Sequence, residues 1–363
     1  MHESQEFPLC GSCSERQASM AKFPNAKAKS CYICGGLSDS LDKVSDKVVP
    51  RLGRFEFRTF SIGLVLPQGV QEREDTLRSD LRIRGGTTIK SDLSKRLSVI
   101  LTKRMRKRVD KVLPDVTILA NLDTNSVDIT SRPVFVHARY TKPRGVAQRR
   151  SFCDNCGGRG CESCGRTGFS TLPSVEELVS KKLGTLLGAE RFKFTWYGSE
   201  DIESVVYAPG RPFVAEVKNP LRRSIPGRIK LRTGKGGIQV SGMKISHVRT
   251  GSPAFTFRTR VLMLADRPLV NDDVSKLQRE MKNAVVEYRN NKGKLVHKKV
   301  YSVKASTRGK KLTADVRLDG GLPVKRLVSG ESVSPSFSES LNVRVRCERF
   351  DIMDVRLKRT ALT

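Results

Sequence analysis

The stretch Trp196-Tyr-Gly-Ser-Glu-Asp-Ile-Glu-Ser-Val-Val-Tyr-Ala-Pro-Gly-Arg-Pro-Phe-Val-Ala-Glu-Val-Lys-Asn-Pro220 sets the reading of the whole chain. Asp201 lies in a polar turn directly before a β-branched run. The chain around it is strongly basic: 68 Lys and Arg against 37 Asp and Glu give a formal net charge of +31 and a pI near 10.2. A carboxylate presented by so basic a surface suits chemistry on a polyanion. Taken alone, an aspartate before a strand is more often a turn residue than a nucleophile, so the turn needs support from elsewhere in the chain.

At 363 residues the chain is long enough for two or three domains, each with its own core. Hydrophobic residues make up 37% and charged residues 29%. No apolar stretch reaches the ~18 residues of a spanning helix. The N-terminus opens polar and reaches cysteine by residue 10, with no secretory signal. These features favour nucleic acid over membrane as the partner and the cytoplasm as the location; the competing reading is a basic surface that is simply solvated. The chain is read as a monomer.

Eight of the nine cysteines fall into four Cys-x-x-Cys pairs, and Cys347 stands alone. Such pairs read as metal knuckles rather than a disulfide framework. Cys10, Cys13, Cys31 and Cys34 form two knuckles 17 residues apart, each offering two thiolates from a tight turn to a tetrahedral zinc. Cys153, Cys156, Cys161 and Cys164 form a denser group, whose Gly157-Gly-Arg-Gly160 link lets the second pair fold back on the first. Iron–sulfur ligation competes for this group, although neither spacing matches a ferredoxin run. A thioredoxin-type dithiol lacks its strand–helix context. One or two structural zinc ions are therefore expected.

The rest of the chain alternates helical and strand patterns. Residues 1–40 form a short polar segment that needs metal to fold. In 41–150, Phe55–Leu66 reads as a strand and 73–84 as a charged helix. Ile89–Val109 reads as a helix carrying Leu93, Leu97, Ile100 and Leu101. Val112–Leu122 and Val127–Tyr140 read as strands about the turn Asp123–Ser126, followed by a basic loop, Arg139–Arg150. Residues 151–170 hold the second knuckle. Residues 171–363 open on a helix with Ser174 as N-cap and Glu176 and Glu177 in its first turn. They continue as short strands with a helix about 272–284, an α+β domain on a largely antiparallel sheet. Gly320–Val328 reads as a basic strand, and Gly234-Lys-Gly-Gly237 as a hairpin turn without the spacing of a phosphate loop.

Several collinear motifs give the Asp201 turn its support. Gly198, Glu200, Asp201, Gly210-Arg-Pro-Phe213, Glu216 and Asn219-Pro220 resemble the motif region of the archaeal and eukaryotic family of tRNA uridine-54/55 pseudouridine synthases. So do Gly320-Gly-Leu-Pro-Val-Lys-Arg-Leu-Val-Ser-Gly330, the group Pro335, Ser336, Ser338 and Leu341, and the close Cys347–Val355. Arg82-Ile-Arg-Gly-Gly-Thr-Thr-Ile-Lys-Ser91 and Phe135-Val-His-Ala-Arg-Tyr140 resemble the family's THUMP-like RNA-binding domain. The resemblance covers most of residues 75–355. It implies an α+β chain in which a zinc-containing THUMP-like domain precedes a pseudouridine-synthase catalytic domain.

The resemblance also implies a reaction and roles. Uridine in the TΨC arm of tRNA, at position 55 alone or at both 55 and 54, would be isomerised with no cofactor for catalysis. Asp201 would be the catalytic aspartate, Lys325 its basic partner and Tyr301 the residue that stacks on the uracil ring. Ser199 stands where the family has an arginine, and Glu203-Ser204-Val205 replaces Asp-Val-Arg, so that base flipping would fall to Arg211 or to a residue elsewhere. Candidate RNA contacts are Lys90, Arg139, Arg144, Arg149, Arg150 and Arg211, with Lys95 and Arg96 beside them. The rival reading is a zinc-containing tRNA-binding protein with lost or weak activity. A THUMP-containing methyltransferase or thiolase lacks a glycine-rich cofactor loop.

Overall fold

A computed structural model describes residues 7–17, 23–234, 236–249, 251, 253–290 and 292–358. The chain divides into two compact units, Met1–Pro133 with Lys218–Arg223, and Val134–Val217 with Ser224–Thr363.

The first unit runs through α1 (Gly11–Glu15), α2 (Leu41–Leu52), β1 (Thr59–Val65), α3 (Val70–Asp80), α4 (Ile89–Met105), β2 (Arg108–Val109), β3 (Val116–Asn121) and β4 (Ser126–Ser131). Its sheet has the order β2-β1-β3-β4, with β1 parallel to both neighbours and β3–β4 antiparallel. Helix α4 forms because Ile89, Leu93, Leu97 and Leu101 recur every fourth residue and are all buried. Each such side chain contributes roughly 1.5–3 kcal/mol by leaving water. Thr88 caps the helix by accepting from Ser91 N at 3.3 Å. The helix is shorter than its apolar pattern suggests: Arg106 turns left-handed at φ 55, and Arg108–Val109 then pairs with β1. Buried Glu74 of α3 accepts from Arg16, from Gln17 at 3.3 Å and from Ile89 N at 2.8 Å, tying the first cysteine segment to the helices.

The second unit runs through β5 (Val134–Lys142), α5 (Val175–Leu187), β6 (Arg191–Trp196), β7 (Val206–Lys218), β8 (Arg228–Thr233), β9 (Gly236–Ser246) and β10 (Phe255–Ala265). It continues with α6 (Asn271–Met281), β11 (Val285–Arg289), β12 (Leu295–Arg308), β13 (Lys311–Asp319), α7 (Val324–Ser329), β14 (Val333–Ser334), α8 (Phe337–Leu341) and β15 (Val345–Leu357). Its sheet has the order β14-β11-β12-β13-β10-β15-β7-β5-β9-β8, with β6 on β7. The pairings are antiparallel except at one place, where β15 meets β7 in parallel through Ile352 and Val206 alone. Two antiparallel halves thus share a single seam, and the turn holding Asp201 feeds into β7 at that seam.

The α+β character and the mostly antiparallel second sheet agree with the sequence. Ser174 caps α5, its side chain accepting from Glu177 N at 3.2 Å, and Thr233 pairs with Gly236 in the β8–β9 hairpin. Three local expectations are corrected. Val127–Tyr140 is two strands, because Pro133 has no N–H for a ladder; the second, β5, is an interior strand of the larger sheet, in the second unit. The strand expected at Val112–Leu122 begins only at Val116. Gly320–Val328 is a turn and a helix, α7, because Val324, Leu327 and Val328 are buried at helical spacing and Gly330 ends the helix in the left-handed region.

Candidate active site

The seam opens a cavity of about 570 Å³. Asp201 sits on one wall and Lys325, in the first turn of α7, on the other. Lys325 Nζ donates to Asp201 Oδ2. The pair is partly open, with side-chain exposures of 32% for Asp201 and 56% for Lys325. The Lys325 hydrogen bond and charge hold the Asp201 carboxyl below its ordinary value, against the opposing pull of burial. The same bond raises Lys325. The cavity therefore presents a carboxylate that stays ionised through neutral pH.

Beneath the turn lies a buried polar scaffold. Glu200 takes the Tyr140 hydroxyl at 2.6 Å and Arg211 Nη1 at 2.6 Å, and Gln148 Nε2 donates to Tyr140 Oη at 2.9 Å and to Gly198 O at 3.1 Å. Lys142 Nζ reaches three main-chain carbonyls of the turn, those of Asp201 at 3.2 Å, Ile202 at 3.3 Å and Ser204 at 2.6 Å. Desolvation lowers the Lys142 pKa, while the Glu200 charge works against that shift. Asp351 closes the far end, accepting from Val205 N at 2.8 Å and from Arg144 at 3.2 Å. A turn with its carbonyls and amides held in this way keeps one shape, as a reacting group requires.

The aromatic wall is Phe255 and Phe257 on β10. Phe255 lies against Gly320, where an added Cβ would come within 2.4 Å of the ring. Gly320 N also donates to Phe255 O at 2.7 Å. The glycines ahead of Lys325 thus let the ring approach the main chain.

Of the residues singled out from the sequence, the structure brings Asp201 and Lys325 together. Tyr301 is not among the residues lining their cavity. Its hydroxyl donates to Asp319 at 3.0 Å, and its ring is surrounded by Lys299, Arg317 and Lys358. Two candidate RNA contacts are already committed elsewhere. Arg211 is 1% exposed and paired with Glu200, so it replaces no base-flipping arginine. Arg139 donates to Gly210 O at 2.8 Å and Val355 O at 3.0 Å. Arg149 and Arg150 are exposed, and Arg150 stacks on Phe169 at 3.7 Å. Arg144 is exposed but paired with Asp351. In the first unit, Lys90, Lys95 and several hydroxyls line a groove of about 940 Å³. Arg96 donates to Ser38 O at 3.2 Å. Phe255 and Phe257 carry no sign of this site in the sequence, and Tyr140, Lys142 and Gln148 read there only as parts of a motif and a basic loop, because nothing local tells that the fold gathers them.

Both cysteine groups converge, each with its four sulfurs within 4.8 Å of one another. A tetrahedron of about 2.3 Å zinc–sulfur bonds sets sulfurs about 3.8 Å apart. The separations are 3.8 Å for Cys10–Cys34, 3.8 Å for Cys153–Cys161 and 3.9 Å for Cys156–Cys164, far beyond a disulfide bond. Gly160 N and Gly168 N donate to Cys156 and Cys164 sulfurs at 3.2 and 3.3 Å, as suits thiolates. Both groups could hold a metal ion. Cys347 is half-buried, and burial pushes its thiol up to about 11.

Comparison with known proteins places this geometry in context. A family model described as Pus10, C-terminal, matches residues 135–356, and one described as Pus10 THUMP domain, archaeal, matches 44–121. The tRNA pseudouridine synthase Pus10 of Nitrosopumilus maritimus is 32% identical over 345 residues, covering 93% of this chain and 88% of that one. Its counterpart in Cenarchaeum symbiosum is 31% identical, with 96% and 86% covered. That of Korarchaeum cryptofilum is 30% identical, with 90% and 93% covered. Among solved structures, a Cbf5-Nop10-Gar1 complex aligns at 12% identity and a TM-score of 0.31, over 49% of this chain and 44% of that one, too low to carry an argument.

Proposed function

The chain belongs to the Pus10 family of tRNA pseudouridine synthases, and from that membership we propose that it isomerises uridine to pseudouridine in the TΨC arm of tRNA, at position 55 alone or at both 55 and 54. The observation that carries the reading to a site is the Asp201–Lys325 pair lining one cavity with Phe255, Phe257 and Phe350.

Pseudouridine formation breaks the bond from uracil N1 to ribose C1′ and makes one from C5 to C1′. The uracil turns between the two events, N1 gains a proton and C5 loses one, so the reaction balances without oxidant, reductant or cofactor. The target nucleotide must leave its stack to reach the cavity. Asp201 acts at the sugar, either as the nucleophile at C1′ or as the base of a glycal-type route. Lys325 keeps it ionised. The rings of Phe255 and Phe257 give the detached uracil a flat surface on which to turn; this is the role the family resemblance suggested for Tyr301. The polar scaffold under the turn holds Asp201 in place during the attack.

Zinc is the proposed occupant of Cys10, Cys13, Cys31 and Cys34, and of Cys153, Cys156, Cys161 and Cys164. The metal fixes the local fold and takes no part in the reaction. Lys90, Lys95, Arg149 and Arg150 are the proposed tRNA contacts that remain free to reach phosphate. The proposed location is the cytoplasm, and the proposed state a monomer.

One observation favours the second reading, a tRNA-binding protein with weak turnover. Ser199 is exposed at the rim of the cavity where the family arginine is expected, and Arg211 cannot take its place. Mapping pseudouridine in an unmodified tRNA transcript after incubation with the protein separates the two readings: product at the TΨC-arm uridines supports the enzyme, and tight binding without product supports the binder.

A further inference from the structure

Strand β10 shows one side chain in two to the core. Phe257, Thr259 and Val261 are buried, and Arg258 and Arg260 between them are exposed. The neighbouring strands repeat the pattern, so the side of the sheet opposite Phe257 is open to solvent and lined with charge. Arg258 stands directly across from Arg317 of β13. Like charges facing each other on adjacent strands cost stability unless a counter-charge joins them. Asp354 of β15 stands across from Arg258 on its other side, and Asp315 feels the Arg258 charge, but among the described residues neither lies at ion-pair distance from Arg258 or Arg317. Asp315 is held by Arg260 through two bonds, at 2.8 and 3.0 Å. Asp354 is held by Arg356 at 2.7 Å, and Asp319 by Lys358 at 2.9 Å and Tyr301 at 3.0 Å. Among the described residues neither Arg258 nor Arg317 has an acidic partner at ion-pair distance.

A small cavity of about 190 Å³ is lined by these two arginines, Arg356 and Asp354, together with Thr256 and Phe257. Next to it, the Tyr301 ring gathers three cations: Arg317 at 5.5 Å, Lys299 at 5.6 Å and Lys358 at 5.9 Å from its centroid. Taken across four consecutive strands, β12, β13, β10 and β15, the line runs through Lys299, Arg317, Arg258 and Arg356, with Asp354 rather than a cation directly opposite Arg258 on β15. Three strand spacings make that line about 14 Å long, too long for one free phosphate and matched to successive phosphates of a nucleic-acid strand.

We propose that this open sheet face, centred on the facing pair Arg258 and Arg317 with Tyr301 gathering the cations beside them, binds the ribose–phosphate backbone of the substrate RNA away from the reacting uridine. The proposal rests on the reading of the chain as a tRNA-modifying enzyme. The two arginines act as a phosphate clamp: the repulsion between them is relieved when a phosphate enters. The face carries register and affinity, not base identity.

The test is the salt dependence of binding to an unmodified tRNA transcript, measured for wild type, for Arg258→Gln/Arg317→Gln, and for the control Arg260→Gln/Asp315→Asn, which removes a cation already neutralised. Losing the one phosphate that the pair clamps should reduce the log–log slope by about 0.7 to 0.9; the control should leave it unchanged. The clamp variant should also melt no lower than wild type without RNA, since a repulsive pair has been removed. An unchanged slope in the clamp variant, or an equal loss in the control, overturns the proposal. Pseudouridine formed by wild type in the same samples keeps the two readings apart: product with an unchanged slope removes only the clamp, and binding without product removes the enzymatic reading while leaving the clamp to be judged by the slope.

Discussion

Lys142 Nζ donates to the main-chain carbonyl oxygen of Ser204 at 2.6 Å from a side chain that is almost wholly buried. With the Asp201 and Ile202 carbonyls also in reach, one ammonium gathers the turn from which Asp201 projects. The Lys142→Met variant keeps the methylene stem and removes the donor. It should stay folded but lose about 1–3 kcal/mol of stability for the Ser204 carbonyl left unsatisfied, since the Asp201 and Ile202 carbonyls keep Ser204 N and Gly145 N as donors. Displacement of a reacting group by about 1 Å costs on the order of 10²-fold in rate. The single-turnover rate on tRNA transcript should therefore fall by about that factor while affinity holds. A wild-type rate in a folded Lys142→Met protein would contradict this role.

The Asp201–Lys325 pair sets the pH behaviour. The Asp201 pKa is lowered below its ordinary 3.8, so its contribution is complete above 3.8 and is lost as pH falls through the depressed value. The Lys325 pKa is raised above its ordinary 10.5, so its contribution is complete below 10.5 and is lost only at still higher pH. Single-turnover rates across the range where the RNA and the fold survive should be flat. An ionisation near neutrality in that profile would place the reacting acid or base elsewhere.

The aromatic wall gives a contrast between two residues. Phe257→Leu keeps an apolar side chain in the cavity but removes the flat ring, and should slow the single-turnover rate with little change in tRNA affinity. Tyr301→Phe should leave the rate unchanged and alter only binding, because its hydroxyl contacts Asp319 and Lys358 rather than the cavity. The opposite pattern would return the stacking role to Tyr301.

Metal content is open to direct measurement. Elemental analysis of the purified protein should find two zinc ions per chain. Cys156→Ser should release one of them and expose 151–170 to protease, while Cys13→Ser should release the other. Full metal content in either variant would dissociate the cysteine group from metal binding.

Much of this was legible in the sequence because the informative residues are neighbours along the chain. The two cysteine groups, the Ser174 cap and the buried stripe Ile89, Leu93, Leu97 and Leu101 follow from local spacing alone. Asp201 and Lys325 were legible only through their motifs, since 124 positions separate them and no local rule joins them. The helix at Lys325 was misread as a strand because Val324, Leu327 and Val328 fit a short apolar run of either kind. That Phe257 lines the cavity and Tyr301 does not is hidden in the sequence for one physical reason: alternation along a strand is visible there, but not which strand ends reach the seam where β7 meets β15. Arg139 and Arg211 looked like phosphate contacts because burial of an arginine depends on partners such as Glu200 and the Gly210 carbonyl, which only the fold supplies.

The central claim is that Asp201 converts uridine to pseudouridine in tRNA. It is tested most directly by mapping pseudouridine in an unmodified tRNA transcript incubated with wild type and, separately, with Asp201→Asn, which keeps the side-chain shape and removes the charge. The account predicts new pseudouridine at the TΨC-arm uridines with wild type and none with Asp201→Asn, at similar tRNA affinity. Product from both proteins would contradict the assignment of Asp201, and product from neither, with salt-sensitive binding intact, would contradict the reading of this chain as an enzyme.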